Sequence, residues 1–347
     1  MTESRFDIRK PSPAEMALQN RAINVIKPLI PHDAEERVLR SFKQWNQIVR
    51  EHIRNETGLR LGDGEGRNSV PVQIVEGFPL PLAQLIGDYG DAVLWRLIVG
   101  QPKLGGLIEG LDFLLKDWPS FERWSKLPEV AKGGEPHLQR TLEITQALQQ
   151  IAIADEVRKQ IQLINRDILG LYSFMPGCPA MVSLYWMPIA MIAAMLNVRI
   201  EDLTVVVLAH ELAHGYTHIG RDIDGIQWSD LGFSTTDLDI VEGLAQYYAE
   251  VVAHRLASRT PGPLEAYNQL LSLQSGSYTA HLDWVKEDPK QKGERIRFAM
   301  IATRSQGRSE LSSWNERLET TRQNLKTTNQ SRVKVNKSGG ELFDPES

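Results

Sequence analysis

Cysteine is almost absent from this sequence: 347 residues contain one, Cys178. An internal disulfide is thereby excluded, and a reducing compartment such as the cytoplasm is the expectation. Basic residues are not in excess either, with 39 Lys and Arg against 44 Asp and Glu. Nothing therefore points to nucleic acid as a partner, and the net charge of −5 is spread without an acidic block. The opening stretch MTESRFDIRKPSPAEM lacks the apolar core of a secretory signal. The most apolar run, Leu184–Val198, holds Pro188 and stops short of the ~20 residues that a membrane helix requires. There is no internal repeat and no long low-complexity linker.

What is present is mainly helical periodicity. Val38, Phe42, Trp45, Val49 and Ile53 recur at helical spacing, with Asp33 and Glu36 placed as an N-terminal cap. Leu82 to Leu115 reads as further helix, and Leu138 to Leu169 as one long helix or two broken ones. The glycines of LGDGEGRNSVPVQ (Leu61–Gln73) mark a turn better than a phosphate cradle, because no strand precedes them. CPAMVSLYWMP (Cys178–Pro188) favours a strand, with Pro188 suited to the first position of the next helix. Thr235–Ala257 makes another helix, capped by Thr235 or Thr236. The expected fold is mostly α with a small β-sheet (α+β). Residues 1–170 form an N-terminal helical region, 171–325 a core, and 326–347 a tail too poor in apolar residues to pack.

The chemistry is concentrated in VVVLAHELAHGYTHIGRDIDG (Val205–Gly225). Residues four apart on an α-helix share a face, so His210 and His214 can grip one ion from the same side. Glu211 is rotated away from that ion yet can reach a water beside it. With 8 histidines in the chain, chance produces this spacing in roughly one such sequence in a hundred. A helix led by LTVVVLA would also bury two histidines and a glutamate at a cost unless each had a partner. The alternative, an ordinary helix that happens to carry two histidines, is the weaker reading.

A catalytic zinc takes three protein ligands and leaves a fourth position open. His218 lies a further turn along, too far for the same ion, and reads as a neighbour of the site. Asp222 and Asp224 would ligate only if the chain turned back sharply. The better third ligand is Glu242 in DIVEGLAQYYAE, on a second helix where Gly243 and Ala245 are small enough for close helix approach. His-Glu-x-x-His followed on a second helix by Glu-Gly-x-Ala resembles the gluzincin group of zinc metallopeptidases, over about Ala180 to Glu250. The resemblance implies His210, His214 and Glu242 as zinc ligands and Glu211 as general base. It also implies a zincin-like core whose strand AMVSLYW forms a sheet edge that an extended peptide can pair with. The aspartate that some gluzincins carry four residues after the third ligand is replaced by Gln246, so Asp239 is considered for orienting a ligand.

The expected activity is intracellular hydrolysis of peptide bonds in a peptide or protein substrate. The oxyanion donor is sought in Gly276–Met300, where Tyr278 and His281 share a face if the stretch is helical and Arg295 and Arg297 follow. His281 is the first choice. Two other classes stay open: a metal-dependent amidase or deformylase-like hydrolase, for which Cys178 is a conceivable ligand, and a non-catalytic helical regulator stabilised by metal. The N-terminal helices have three open roles: capping the cleft, recognising a regulatory partner, or holding the enzyme inactive.

Overall fold

A computed structural model describes residues 12–62, 69–118, 134–150, 152–164, 167–175, 178–284, 286 and 291–323. Residues 63–68 of the glycine-rich loop and the whole expected tail, 326–347, fall outside these residues. The chain is mostly helical, with a three-stranded mixed sheet. In chain order the elements are α1 (Pro13–Ile26), α2 (Ala34–Thr57), β1 (Val72–Val75), α3 (Leu80–Asp88), α4 (Ala92–Lys116), α5 (Gly134–Gln149) and α6 (Ala152–Leu163). There follow β2 (Gly170–Ser173), β3 (Met181–Tyr185), α7 (Trp186–Leu196), α8 (Ile200–Ile219), α9 (Asp230–Thr235), α10 (Leu238–Ala257), α11 (Gly262–Ser272) and α12 (Lys292–Gln306). A short 3-10 turn, Gly276–Leu282, lies between the last two, and a further helix covers 311–323. No helix among the described residues is long and apolar enough to cross a membrane.

Local signals explain most of these limits, and some differ from expectation. Asp33 stands at the start of α2 but makes no side-chain cap. The apolar stretch after Leu82 is broken at Asp91, whose carboxylate accepts the Val93 N–H at 2.7 Å and begins α4 afresh. Leu138 to Leu169 also divides, into α5 and α6. Pro188 is the third residue of α7, not the first. α10 begins at Leu238 with Asp237 before it, because Thr235 and Thr236 close the separate short helix α9.

The sheet corrects two expectations. Its order is β1–β3–β2, with β1 parallel and β2 antiparallel to β3. The strand in AMVSLYW is therefore central and has no free edge; β2 is the edge on the side of the motif helix. β1, from the N-terminal region, pairs Val72 with Val182 through to Val75 with Tyr185, and one continuous apolar core runs from Ala22 to Leu318. The N-terminal helical region thus supplies a strand to the sheet.

α8 is the axis of that core. From Leu203 to Ile219 every residue is buried, as its lack of a polar face demands. α2 packs along one side and α10 along another. Arg37 forks onto Glu201, at the start of α8, with both N···O distances 2.8 Å. Ser41 and the Tyr216 hydroxyl tie α2 and α8 together through backbone carbonyls. The half-buried Arg37–Glu201 pair contributes on the order of 1 kcal/mol; enclosure of the apolar residues holds α8 in place.

Candidate metal centre

Two consecutive turns of α8 present His210 and His214 to the neighbouring α10, and their Nε2 atoms lie 3.1 Å apart. The Glu242 carboxylate comes from α10: its Oε2 is 3.3 Å from His210 Nε2 and 3.5 Å from His214 Nε2. Four ligand atoms about 2.0–2.1 Å from one tetrahedral ion are separated by roughly 3.3–3.4 Å, so these spacings are those of ligands around a shared ion. A fourth group joins them. Asp167, between α6 and β2, places Oδ1 3.5 Å from His210 Nε2, and the ligand atoms of all four residues lie within 4.8 Å of one another.

The donor set fits a divalent cation. Glu242 and His214 are fully buried, and Glu211 is 1% exposed. Three carboxylates (Asp167, Glu211 and Glu242) thus meet around two imidazoles in a largely buried site, and such a charge excess is costly unless a cation offsets it. Among the described residues, neither His210 Nδ1 nor His214 Nδ1 has a hydrogen-bond partner, and neither does Glu211 Oε2. Without an ion, burial pushes the His210 imidazole toward neutrality, but Asp167 and Glu242 outweigh it and raise its pKa to about 10. Burial, and then the charge of Asp167, push Glu211 well above the usual carboxylate range.

Glu211 occupies a cradle that local spacing does not announce. Gly170, the first residue of β2, lies so close that a side chain there would overlap its carboxylate. The Tyr172 backbone N–H also holds this carboxylate. Because the Leu169 carbonyl accepts from Tyr185 N–H at 3.0 Å, antiparallel alternation turns the backbone groups of Gly170 and Tyr172 away from β3, toward α8. A cavity of about 310 Å³ opens beside His210 and Glu211, within the range typical of small ligand sites. Ile161, Ile164, Leu169, Ile192, Val206 and Val207 make most of its apolar wall, and Tyr278 and Asp239 add polar groups.

The other expected residues fall as follows. Tyr278 and His281 lie one turn apart on the same 3-10 segment, but only Tyr278 lines the cavity. Its ring stacks near His210, with centroids 6.0 Å apart, and its hydroxyl donates to Asp167 Oδ1 at 2.7 Å. His281 is fully buried, 2.9 Å from the Tyr267 hydroxyl, and burial lowers its pKa to about 4. It does not line the cavity. Arg295 is buried against the Leu318 carbonyl and Arg297 is exposed, so neither lines the site.

His218 lies in an aromatic setting, its ring centroid 4.3 Å from Phe174 and 4.4 Å from Phe233, with Tyr172 Oη 2.9 Å from Nδ1. Burial and then the charge of Arg304 lower its pKa to about 3, and its Nε2 lies 3.2 Å from Asp230 Oδ1, away from the ligand cluster. Asp222 accepts backbone N–H groups of its own exposed turn. Asp239 accepts from Ser277 at 2.6 Å and orients neither ligating imidazole. Gln246 bonds to Gln274. Cys178 is exposed beside a separate surface pocket, outside the ligand cluster. Gly243 admits the Trp284 ring, so its small size serves that contact. Sequence reasoning missed Asp167 and Gly170; neither stands at a spacing that marks it.

No family model, curated protein or solved structure matches the chain.

Proposed function

We propose that this chain is a zinc-dependent peptidase. The observation that carries the reading is the convergence of His210, His214 and Glu242 at ligand spacing, with Glu211 beside them at the wall of an apolar cavity. The resemblance of HELAH and EGLA to gluzincins, with the zincin-like core that it implies, supports the same assignment. His210, His214 and Glu242 would hold the ion, which when bound lowers the pKa of a water toward ~7 and polarises a carbonyl.

The chain's own groups then have distinct tasks. Glu211, fixed by Tyr172 N–H and fitted against Gly170, takes the proton of the attacking water and delivers it to the leaving amine. Tyr278 offers a hydroxyl to the developing oxyanion. The outward backbone of Gly170 on edge strand β2 pairs with an extended substrate. The aliphatic cavity wall receives an apolar side chain and excludes water from the reacting bond. The single, exposed Cys178 suits a cytoplasmic setting.

The test is an assay of denatured protein and small amides, with metal analysis of the same samples. Glu211→Gln is expected to keep the ion and lose hydrolysis, and Glu242→Ala to lose the ion itself. Equal turnover in wild type and Glu211→Gln would end the enzymatic reading. One observation favours a second reading: Asp167 supplies a fourth protein ligand atom, and zinc sites closed by four protein ligands are structural. Under that reading no amide is turned over and removing the ion unfolds the protein.

A further inference from the structure

The geometry points to Asp167 as a built-in latch: its carboxylate takes the corner of the cage that water needs and occupies the Tyr278 hydroxyl at the same time. This inference rests on the metallopeptidase reading, and concerns how the same site is held closed.

Three features set Asp167 apart from the other ligands. His210, His214 and Glu242 come from the packed helices α8 and α10, and the three separations measured among them, 3.1, 3.3 and 3.5 Å, all fit one tetrahedral cage. Asp167 comes from the connection between α6 and β2. It reaches the cage chiefly at His210, 3.5 Å away, within a group that spreads to 4.8 Å. It is thus the outlying ligand, and among the described residues the 2.7 Å hydrogen bond from Tyr278 is its further hold.

The second feature is what that bond does. A hydroxyl has one proton to donate. While Tyr278 gives it to Asp167, it has none for an oxyanion. One carboxylate therefore blocks both the water position and the donor, and releasing it frees both. The third feature is placement. Ile161, Ile164, Ile168 and Leu169, which flank Asp167 in the chain, line the cavity beside it. A ligand that fills the cavity therefore touches the segment that carries the latch. The exchange involves no redox change: the carboxylate leaves, a water takes its place, and the Tyr278 proton turns to the substrate.

Cobalt(II) in place of zinc makes the cage visible through its absorption bands, and acetohydroxamate is a probe that needs a free corner. In wild type the bands are expected to respond weakly to acetohydroxamate. Asp167→Ala is expected to keep one ion per chain, to show altered bands, and to bind acetohydroxamate at least about tenfold more tightly, since a site closed nine-tenths of the time loses that factor in apparent affinity. Asp167→Asn, which preserves size and can still accept from Tyr278, is expected to move in the same direction and serves if the alanine variant does not fold. Bands and hydroxamate affinity unchanged in both variants would show that Asp167 is not on the ion. Loss of the ion in both would make Asp167 an obligatory ligand and overturn the latch. Absence of cobalt from wild type as well would sink the underlying metal assignment, an outcome distinct from either.

Discussion

The point where a side chain on Gly170 would begin lies 2.5 Å from Glu211 Oε1 and 2.6 Å from its Cγ. A methyl group there must displace the carboxylate, since both Glu211 and the strand behind it are buried. Gly170→Ala is therefore expected to shift Glu211 by about an ångström and to lower kcat by about a hundredfold. The ion should stay, because its ligands come from elsewhere. Metal content and kcat measured on one preparation would check this; full activity would mean that Glu211 is not the base.

Tyr278→Phe removes one hydroxyl and leaves the ring stacked near His210. If that hydroxyl serves the oxyanion, kcat should fall by about a hundredfold or more while metal content changes little. The matching change at the other residue of the segment, His281→Gln, should show itself in stability and not in kcat, since His281 contacts Tyr267. Steady-state kinetics of both variants would separate the roles.

The charge of His210 gives a pH signature to the metal-free protein. Its pKa is raised from 6.5 to about 10 when folded, so the protonated form adds stability. That contribution is complete below about 6.5 and is lost as pH rises through about 10. Ligation requires neutral imidazole, so uptake of zinc at pH 8 should release at least about one proton per ion. The stabilisation conferred by zinc should also grow between pH 6.5 and 10. Thermal melts of loaded and metal-free protein across that range would show it, and a gap independent of pH would count against this arrangement.

Gly243, beside the proposed ligand Glu242, meets a different constraint. A methyl there would come within 2.5 and 2.7 Å of the Trp284 ring, which itself packs on Trp314 at a centroid distance of 4.8 Å. Alanine gains about 1 kcal/mol of helix propensity over glycine, but overpacking a filled core costs typically 1–3 kcal/mol. With two packed indoles resisting, the clash wins. Gly243→Ala should lower stability by about 1–2 kcal/mol, read from the urea midpoint.

The parts of the site that are local in the chain could be read from residue types alone. Two histidines four apart dictate a shared helix face wherever that helix lies, so His210, Glu211 and His214 needed no tertiary knowledge. Glu242 was reachable through the paired pattern of two helices. Asp167 was not: it stands in NRDIL, between a helix end and a strand, at no fixed interval from the histidines. Only the route of the chain back to β2 brings it there. Gly170 is equally mute, since close approach by Glu211 is a property of packing. That Tyr278 lines the cavity and His281 does not was hidden as well, because a shared face does not say which turn opens on the cavity. The edge expected at AMVSLYW failed because β1, about a hundred residues upstream, takes the other side of that strand. Long-range pairing leaves no mark in five apolar residues.

Because α8 is enclosed along nearly its whole length, the two imidazoles stand on a segment with little room to move. Their spacing is set by the fold itself, so a cation captured there would need little rearrangement of the donors. Adaptation to different ligands then falls to the peripheral wall of the cavity, and the helix at its centre stays still.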